Sequence, residues 1–123
     1  LYGDCVEPFN PKVVRATMGT FAFCNLWPVG EAEIDRLLAA DYDLCATTGR
    51  DGESLYEAEF GPSTVLAVGS EAHGLSSGLM RRATRKLTIP LAPACESLNA
   101  AIAGSICMFH LARAPVSGNQ GLA

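Results

Sequence analysis

The chain has 123 residues and a mass of 12.9 kDa, enough for one domain with a buried core and too little for two. Hydrophobic residues make up 49% and charged residues 18%, at a mean hydropathy of +0.20, which excludes a disordered chain and leaves apolar surface for self-association. Nine Lys and Arg against 13 Asp and Glu give a net charge of −4, which excludes a basic protein that coats nucleic acid and leaves a local basic patch open.

In chain order, Asn10-Pro11 opens a first helix, with Asn10 as cap and Pro11 at the first helical position, where its missing N–H costs nothing. Gly19 and the aromatic stretch from Phe21 to Trp27 follow, ended by Pro28. Residues 31–40 read as a second helix with Ile34, Leu37 and Leu38 on one face, and Glu31 and Glu33 favouring its dipole. Residues 42–48 read as a short buried strand stopped by Gly49, and residues 50–61 as a polar, turn-rich loop marked by Asp51-Gly52. The apolar run 64–68 is the clearest strand, and its continuity predicts both faces covered, as in a parallel sheet flanked by helices. A helix over 75–82 and a strand over 87–89, ended by Pro90, come next. Ser97 is expected to begin the last helix, where Leu98, Ile102, Ile106 and Phe109 recur at spacings of 4, 4 and 3. Residues 114–123 are expected to be a disordered tail after a domain over 1–113. The alternation of strands and helices makes this an α/β fold, a parallel sheet with helices on both faces.

The five cysteines are odd in number, lack C-x-x-C spacing and lie mostly among apolar neighbours, which reads as reduced thiols in a cytoplasmic protein. The longest nearly apolar stretch, residues 100–109, is too short to span a bilayer, and no signal peptide is visible. A start at Leu1 without Met leads us to expect a piece of a longer chain.

Two loops that follow strands carry the chemistry. The first contains Gly69-Ser70-Glu71-Ala72-His73-Gly74-Leu75, in which Gly69 permits close backbone approach by a ligand and Glu71 supplies a carboxylate. The second runs from Ile89-Pro90 to Ser97-Leu98-Asn99, where a hydroxyl and an amide sit at a helix N-terminus. In an open α/β sheet such loops gather at the carboxyl ends of the strands, where ligands bind. Taken singly, each also reads as an ordinary turn or an ordinary Ser cap.

Together and in this order, the two loops resemble motifs two and three of the SpoU-type (TrmH-like) RNA ribose methyltransferases of the SPOUT superfamily. Pro11-Lys12-Val13-Val14-Arg15-Ala16-Thr17-Met18-Gly19 is similar to a further stretch of that family, and the resemblance covers about residues 3–112. It implies a C-terminal trefoil knot, a homodimer, and S-adenosylmethionine bound mainly by backbone at Thr47, Gly69, Ile89 and Leu98. It also implies catalytic positions at Glu71, Ser97 and Asn99, methyl transfer to a ribose 2′-hydroxyl of tRNA or rRNA, and no metal. Two departures stand out. The family's first motif, Asn-x-Gly followed by Arg, is not in this sequence, so an upstream βα unit of about 30 residues is expected and the chain alone is expected to be inactive. Ala72 stands where the family usually has Gly. The basic residues Arg81, Arg82, Arg85 and Lys86 read either as a phosphate contact or as a solvated helix face. Two other functions stay open: a non-catalytic cofactor-binding and dimerisation domain, and an unrelated nucleotide-binding α/β domain, against which the Ser-Leu-Asn helix start argues.

Overall fold

The computed structural model describes residues 1–95 and 97–113. They fall into two units, the first Leu1–Ala39 and the second the described residues from Ala40 onward. In the first unit, α1 (Pro11–Ala16) starts as the sequence requires: Asn10 Oδ1 accepts the Lys12 N–H at 2.9 Å, and proline fills the first position. Gly19, at φ 87°, turns the chain into a 3-10 helix, Thr20–Phe23, and Phe21 meets Phe9 edge to face at 5.2 Å. In α2 (Glu31–Ala39), the Glu33 carboxylate reaches back to the Gly30 N–H at 2.9 Å and closes the N-terminus. That backbone hydrogen bond holds the Glu33 carboxyl below the usual carboxylate range. Ile34 is buried, and Leu37 and Leu38 are half-buried.

The second unit holds a four-stranded sheet in the order β2-β4-β1-β3, from β1 (Asp43–Thr48), β2 (Glu53–Ser54), β3 (Thr64–Ala67) and β4 (Arg85–Thr88). All three pairings are parallel, as expected. β1 lies inside the order, with Leu44, Cys45 and Ala46 all buried. Cys45 forms a core cluster with Leu87 and Ala58, against which Phe60 and Leu66 pack. The most apolar run, β3, takes an end position and is mostly half-buried, which corrects the expectation that both its faces are covered. β1, with a neighbour on each side, buries its central Leu44, Cys45 and Ala46 although an Asp and two Thr flank them.

Three further boundaries differ from the expectation. Residues 50–61 are not all loop: β2 pairs in parallel with β4, and Leu55 and Ala58 beside it are buried. Burying Leu55 contributes about 1.5–3 kcal/mol, although its polar neighbours break any periodic signal. The strand expected over 87–89 begins at Arg85, which takes Arg85 out of the expected basic patch. Its guanidinium donates to Glu53 Oε2 at 2.6 Å and to the Glu59 carbonyl, and lies 5.4 Å from the Phe60 ring centre. The hydrogen bond to Glu53 raises the Arg85 pKa further. The helix expected over 75–82 is α3 (Ser77–Arg82), started by Ser76 Oγ, which accepts the Leu79 N–H at 3.2 Å.

The last helix, α4 (Ala100–Arg113), begins three residues later than the expected Ser97. Its buried positions are the small residues Gly104 and Cys107, and a Cβ on Gly104 would meet Val68 Cγ2 at an ordinary contact distance of 3.5 Å. The bulky stripe Ile102, Ile106 and Phe109 therefore faces outward, at 53%, 39% and 66% exposure. The expected tail, residues 114–123, lies outside the described residues.

Candidate active site

A cavity of about 390 Å³ opens at the carboxyl ends of β1, β3 and β4. Thr47 and Thr48 enter it from β1, Gly69 and Glu71 from the loop after β3, Ile89 from beyond β4, and Ser97, Leu98 and Asn99 from the approach to α4. The fold thus gathers all seven residues singled out from the sequence: Thr47, Gly69, Glu71, Ile89, Ser97, Leu98 and Asn99. The last register pair of β1 and β4 is Thr48–Thr88, so Gly49 and Ile89 carry main chain past the paired ladder into the cavity wall. This is where open α/β sheets bind ligands, and the volume suits a small molecule.

The loop after β3 is closed on itself. Ser70 and Gly74 exchange backbone hydrogen bonds of 3.2 and 2.8 Å, and Ser70 Oγ accepts the His73 N–H at 3.2 Å. A Cβ on Gly69 would lie 2.3 Å from the Gly74 carbonyl carbon and 2.5 Å from the Leu75 nitrogen. Glycine at 69 is therefore required by the loop's own backbone, a reason the sequence does not show, and it also lines the cavity. Gly74 answers a different demand, with φ at 65°. Ala72 is exposed, so its extra methyl group meets solvent.

Glu71 Oε1 accepts the Asn99 side-chain amide at 2.9 Å and the Ala100 N–H at 3.4 Å. Asn99 Oδ1 accepts the Ala101 and Ile102 N–H groups at 3.0 and 3.3 Å. Asn99, not Ser97, therefore caps α4. Ser and Asn are equally good caps; the Glu71 carboxylate decides between them by holding the amide nitrogen and turning Oδ1 toward the helix. The Thr47 hydroxyl donates to the Ala67 carbonyl at 3.1 Å and ties β1 to β3, so what Thr47 offers a ligand is main chain. Ile89 and Leu98 are half-buried and, with Val68, Leu91 and Ala103, give the cavity an apolar wall.

Sequence reading missed Leu91 and Ala103, which carry no polar signal and enter only through the path of the chain. Thr48, Val68 and Ser70 adjoin residues already singled out. Among the described residues no group of three His, Cys, Asp or Glu is placed to hold a metal ion, and no helix is long and apolar enough to cross a membrane.

Comparison with known proteins agrees with this geometry. The family described as SpoU rRNA Methylase matches residues 1–109. An uncharacterised tRNA/rRNA methyltransferase of Synechocystis is 32% identical over 118 residues, covering 92% of this chain and 42% of that protein. The 23S rRNA (guanosine(2553)-2′-O)-methyltransferase RlmP of Bacillus subtilis is 29% identical over 106 residues, covering 85% of this chain and 43% of its own. Among solved structures, an AdoMet-bound rRNA methyltransferase from Sinorhizobium meliloti superposes with a TM-score of 0.83 at 30% identity, over 94% of this chain and 45% of that one. The AdoMet complex of the SpoU methyltransferase AviRb from Streptomyces viridochromogenes gives 0.77 at 26% identity, over 96% of this chain and 49% of its own. This chain thus spans less than half the length of each of these relatives.

Proposed function

This chain belongs to the SpoU rRNA methylase family, and on that premise we propose that within its full-length protein it carries the cofactor site of a 2′-O-methyltransferase acting on tRNA or rRNA, with S-adenosylmethionine as methyl donor. The observation that carries this reading is the cavity itself, in which residues as distant as Thr47 and Ala103 meet at three strand ends with the Glu71–Asn99 contact on its wall. The residues fit the cofactor. An apolar wall of Val68, Ile89, Leu91 and Leu98 suits an adenine, the main chain at Gly49 and Ile89 suits its polar edge, and Glu71 brings a carboxylate toward a cationic sulfonium. When bound, the cofactor supplies a methyl group activated by attachment to that sulfonium.

The remaining work falls to this chain's residues. Thr47, Gly69, Ile89 and Leu98 hold the cofactor, chiefly through backbone. Ser97, exposed at the cavity edge, orients the ribose hydroxyl. Glu71 and Asn99 are bonded to each other, and we assign them to positioning: they lock the loop after β3 to the start of α4 and so fix Ser97 and Leu98 between them. We further propose helices on both faces of the sheet, the C-terminal trefoil knot, a methyltransferase domain over 1–113, and a cytoplasmic location. A homodimer that covers the outward stripe Ile102, Ile106 and Phe109 completes the reading.

One observation favours a second reading. Among the described residues, the cavity lining contains no Lys, Arg or His, and its one carboxylate, Glu71, already accepts from Asn99 and the Ala100 N–H, so the group best able to take the hydroxyl proton is committed to the fold. On that reading the chain is a cofactor-binding and dimerisation domain without catalysis of its own. Incubating the full-length protein with RNA and methyl-labelled cofactor separates the two. Label that resists alkaline cleavage at one nucleotide supports the methyltransferase. Cofactor binding without transfer supports the second reading, and neither binding nor transfer removes both.

A further inference from the structure

We propose that Thr88, which is not among the cavity-lining residues, is a positioning residue for the cavity: it orders the segment 49–52, which leaves the wall at Gly49, through a directed chain of hydroxyl hydrogen bonds. The ligand it serves is the one named by the methyltransferase reading above. The direction follows from counting protons. Thr48 Oγ1 lies 2.6 Å from the Arg50 carbonyl, which can only accept, so the single Thr48 hydroxyl proton is committed there. At the 3.1 Å contact between Thr48 Oγ1 and Thr88 Oγ1, Thr88 is therefore the donor. A second lone pair on Thr88 Oγ1 accepts the Gly52 N–H at 3.0 Å. The sequence of donors runs from Gly52 N–H to Thr88 to Thr48 to the Arg50 carbonyl, and every proton has a place.

Two independent features show that the excursion is seated on this pair. The Thr88 carbonyl accepts the Leu55 N–H at 2.9 Å, so one residue holds the returning segment with both its side chain and its main chain. At Gly52, a Cβ would lie 2.6 Å from Thr88 Oγ1, 2.9 Å from the Leu87 carbonyl carbon and 3.0 Å from Thr48 Oγ1. The segment thus rests directly on the hydroxyls, and the preceding Asp51 accepts φ of 62° to let it do so. Thr48 and Gly49 line the cavity, so the chain of bonds passes through the wall that a ligand meets. Ordering that wall in advance removes an entropic cost from binding.

The test uses the full-length protein with Thr88→Val, which keeps the shape and deletes the hydroxyl, and Thr88→Ser, which keeps the hydroxyl. We expect Thr88→Val to weaken S-adenosylhomocysteine binding about tenfold and to raise KM for S-adenosylmethionine in proportion, with kcat at saturation within about twofold. Thr88→Ser should restore both. Native-like cofactor affinity in Thr88→Val overturns the proposal. Hydrogen exchange at the Gly52 amide gives a readout that needs no ligand. Slow exchange in the unaltered protein, faster in Thr88→Val and slow again in Thr88→Ser, is expected; exchange at the open-chain rate in the unaltered protein overturns the proposal. If the unaltered protein binds no cofactor, the methyltransferase reading fails, and the Gly52 amide still decides whether the hydroxyl chain exists.

Discussion

The Asn99 side-chain amide lies 2.9 Å from Glu71 Oε1, joining two loops that are 28 residues apart in the chain. One carboxylate oxygen thereby serves both the cap residue and, at 3.4 Å, the Ala100 N–H of the first helical turn. A negative group at this end also meets the positive end of the α4 dipole. The polar pair that the family resemblance assigns to the catalytic positions is, in this structure, first a clasp between elements.

Breaking the clasp should therefore show in stability as well as in turnover. Asn99→Ala should cost about 1 kcal/mol by loss of the cap, and Glu71→Ala a comparable amount. The double variant should cost less than the sum, with a coupling of about 0.5 kcal/mol or more. Ser97→Ala should leave the melting temperature unchanged and lower methyl transfer by about tenfold or more. Denaturant titration with single-turnover methylation checks both halves; strict additivity of Glu71→Ala and Asn99→Ala would refute the clasp.

The glycines separate by what fills their missing side chains. Gly69→Ala drives a methyl group against the Gly74 carbonyl carbon, only 2.3 Å away. It should cost more than about 2 kcal/mol and abolish cofactor binding, because the loop must open. Gly104→Ala places its methyl in ordinary contact with Val68, 3.5 Å away, and should stabilise α4 by up to about 1 kcal/mol. Thermal melts of the two variants should shift in opposite directions.

The thiols divide into two classes. Burial raises the pKa of both Cys45 and Cys107, while Cys5, Cys24 and Cys95 are exposed. A thiol reagent at pH 8 should titrate the three exposed residues quickly and the buried pair only on unfolding. For stability the sign follows directly: in the unfolded chain these thiols ionise from about pH 8.5, and in the folded chain only at higher pH. Their contribution is thus full below that value and is lost as pH rises through the raised folded values. Cys45→Ser with Cys107→Ser should flatten the alkaline fall in melting temperature.

Arg85 should behave as a structural cation. Arg85→Met removes the bonds to Glu53 and to the Glu59 carbonyl, and should destabilise the β2 edge by about 1–2 kcal/mol. RNA affinity and its salt dependence should stay unchanged, since the guanidinium is occupied within the fold. A filter-binding salt titration checks this; a flatter slope would return Arg85 to the phosphate-contacting set.

Self-association should depend on the outward stripe of α4. Ile106→Glu combined with Phe109→Ser places charge and polarity on a face that carries no polar partner role in the sheet, and should shift sedimentation to the monomer without lowering helix content. An unchanged oligomer would assign the interface to another surface.

What the sequence determined by itself was local or periodic. Asn10 and Pro11 specify the start of α1 through groups two residues apart, Asp51-Gly52 specifies a turn, and the alternation of apolar runs with amphipathic ones specifies parallel α/β layers. The seven site residues were legible because their residue types and order resemble a known family, and the fold does bring them to one cavity. Tertiary structure decided the rest, because it depends on partners distant along the chain. The α4 stripe shows this: its period marks Ile102, Ile106 and Phe109 as one face, but a helix apolar nearly all round has no unique inward side. The small residues Gly104 and Cys107 take the buried face instead. Asn99 prevails over Ser97 as the cap because Glu71 is there to hold it, and Gly69 is glycine because Gly74 folds back upon it. Arg85 is structural because Glu53, 32 residues earlier, lies beside it on an edge strand too short and too polar to leave a pattern in the sequence.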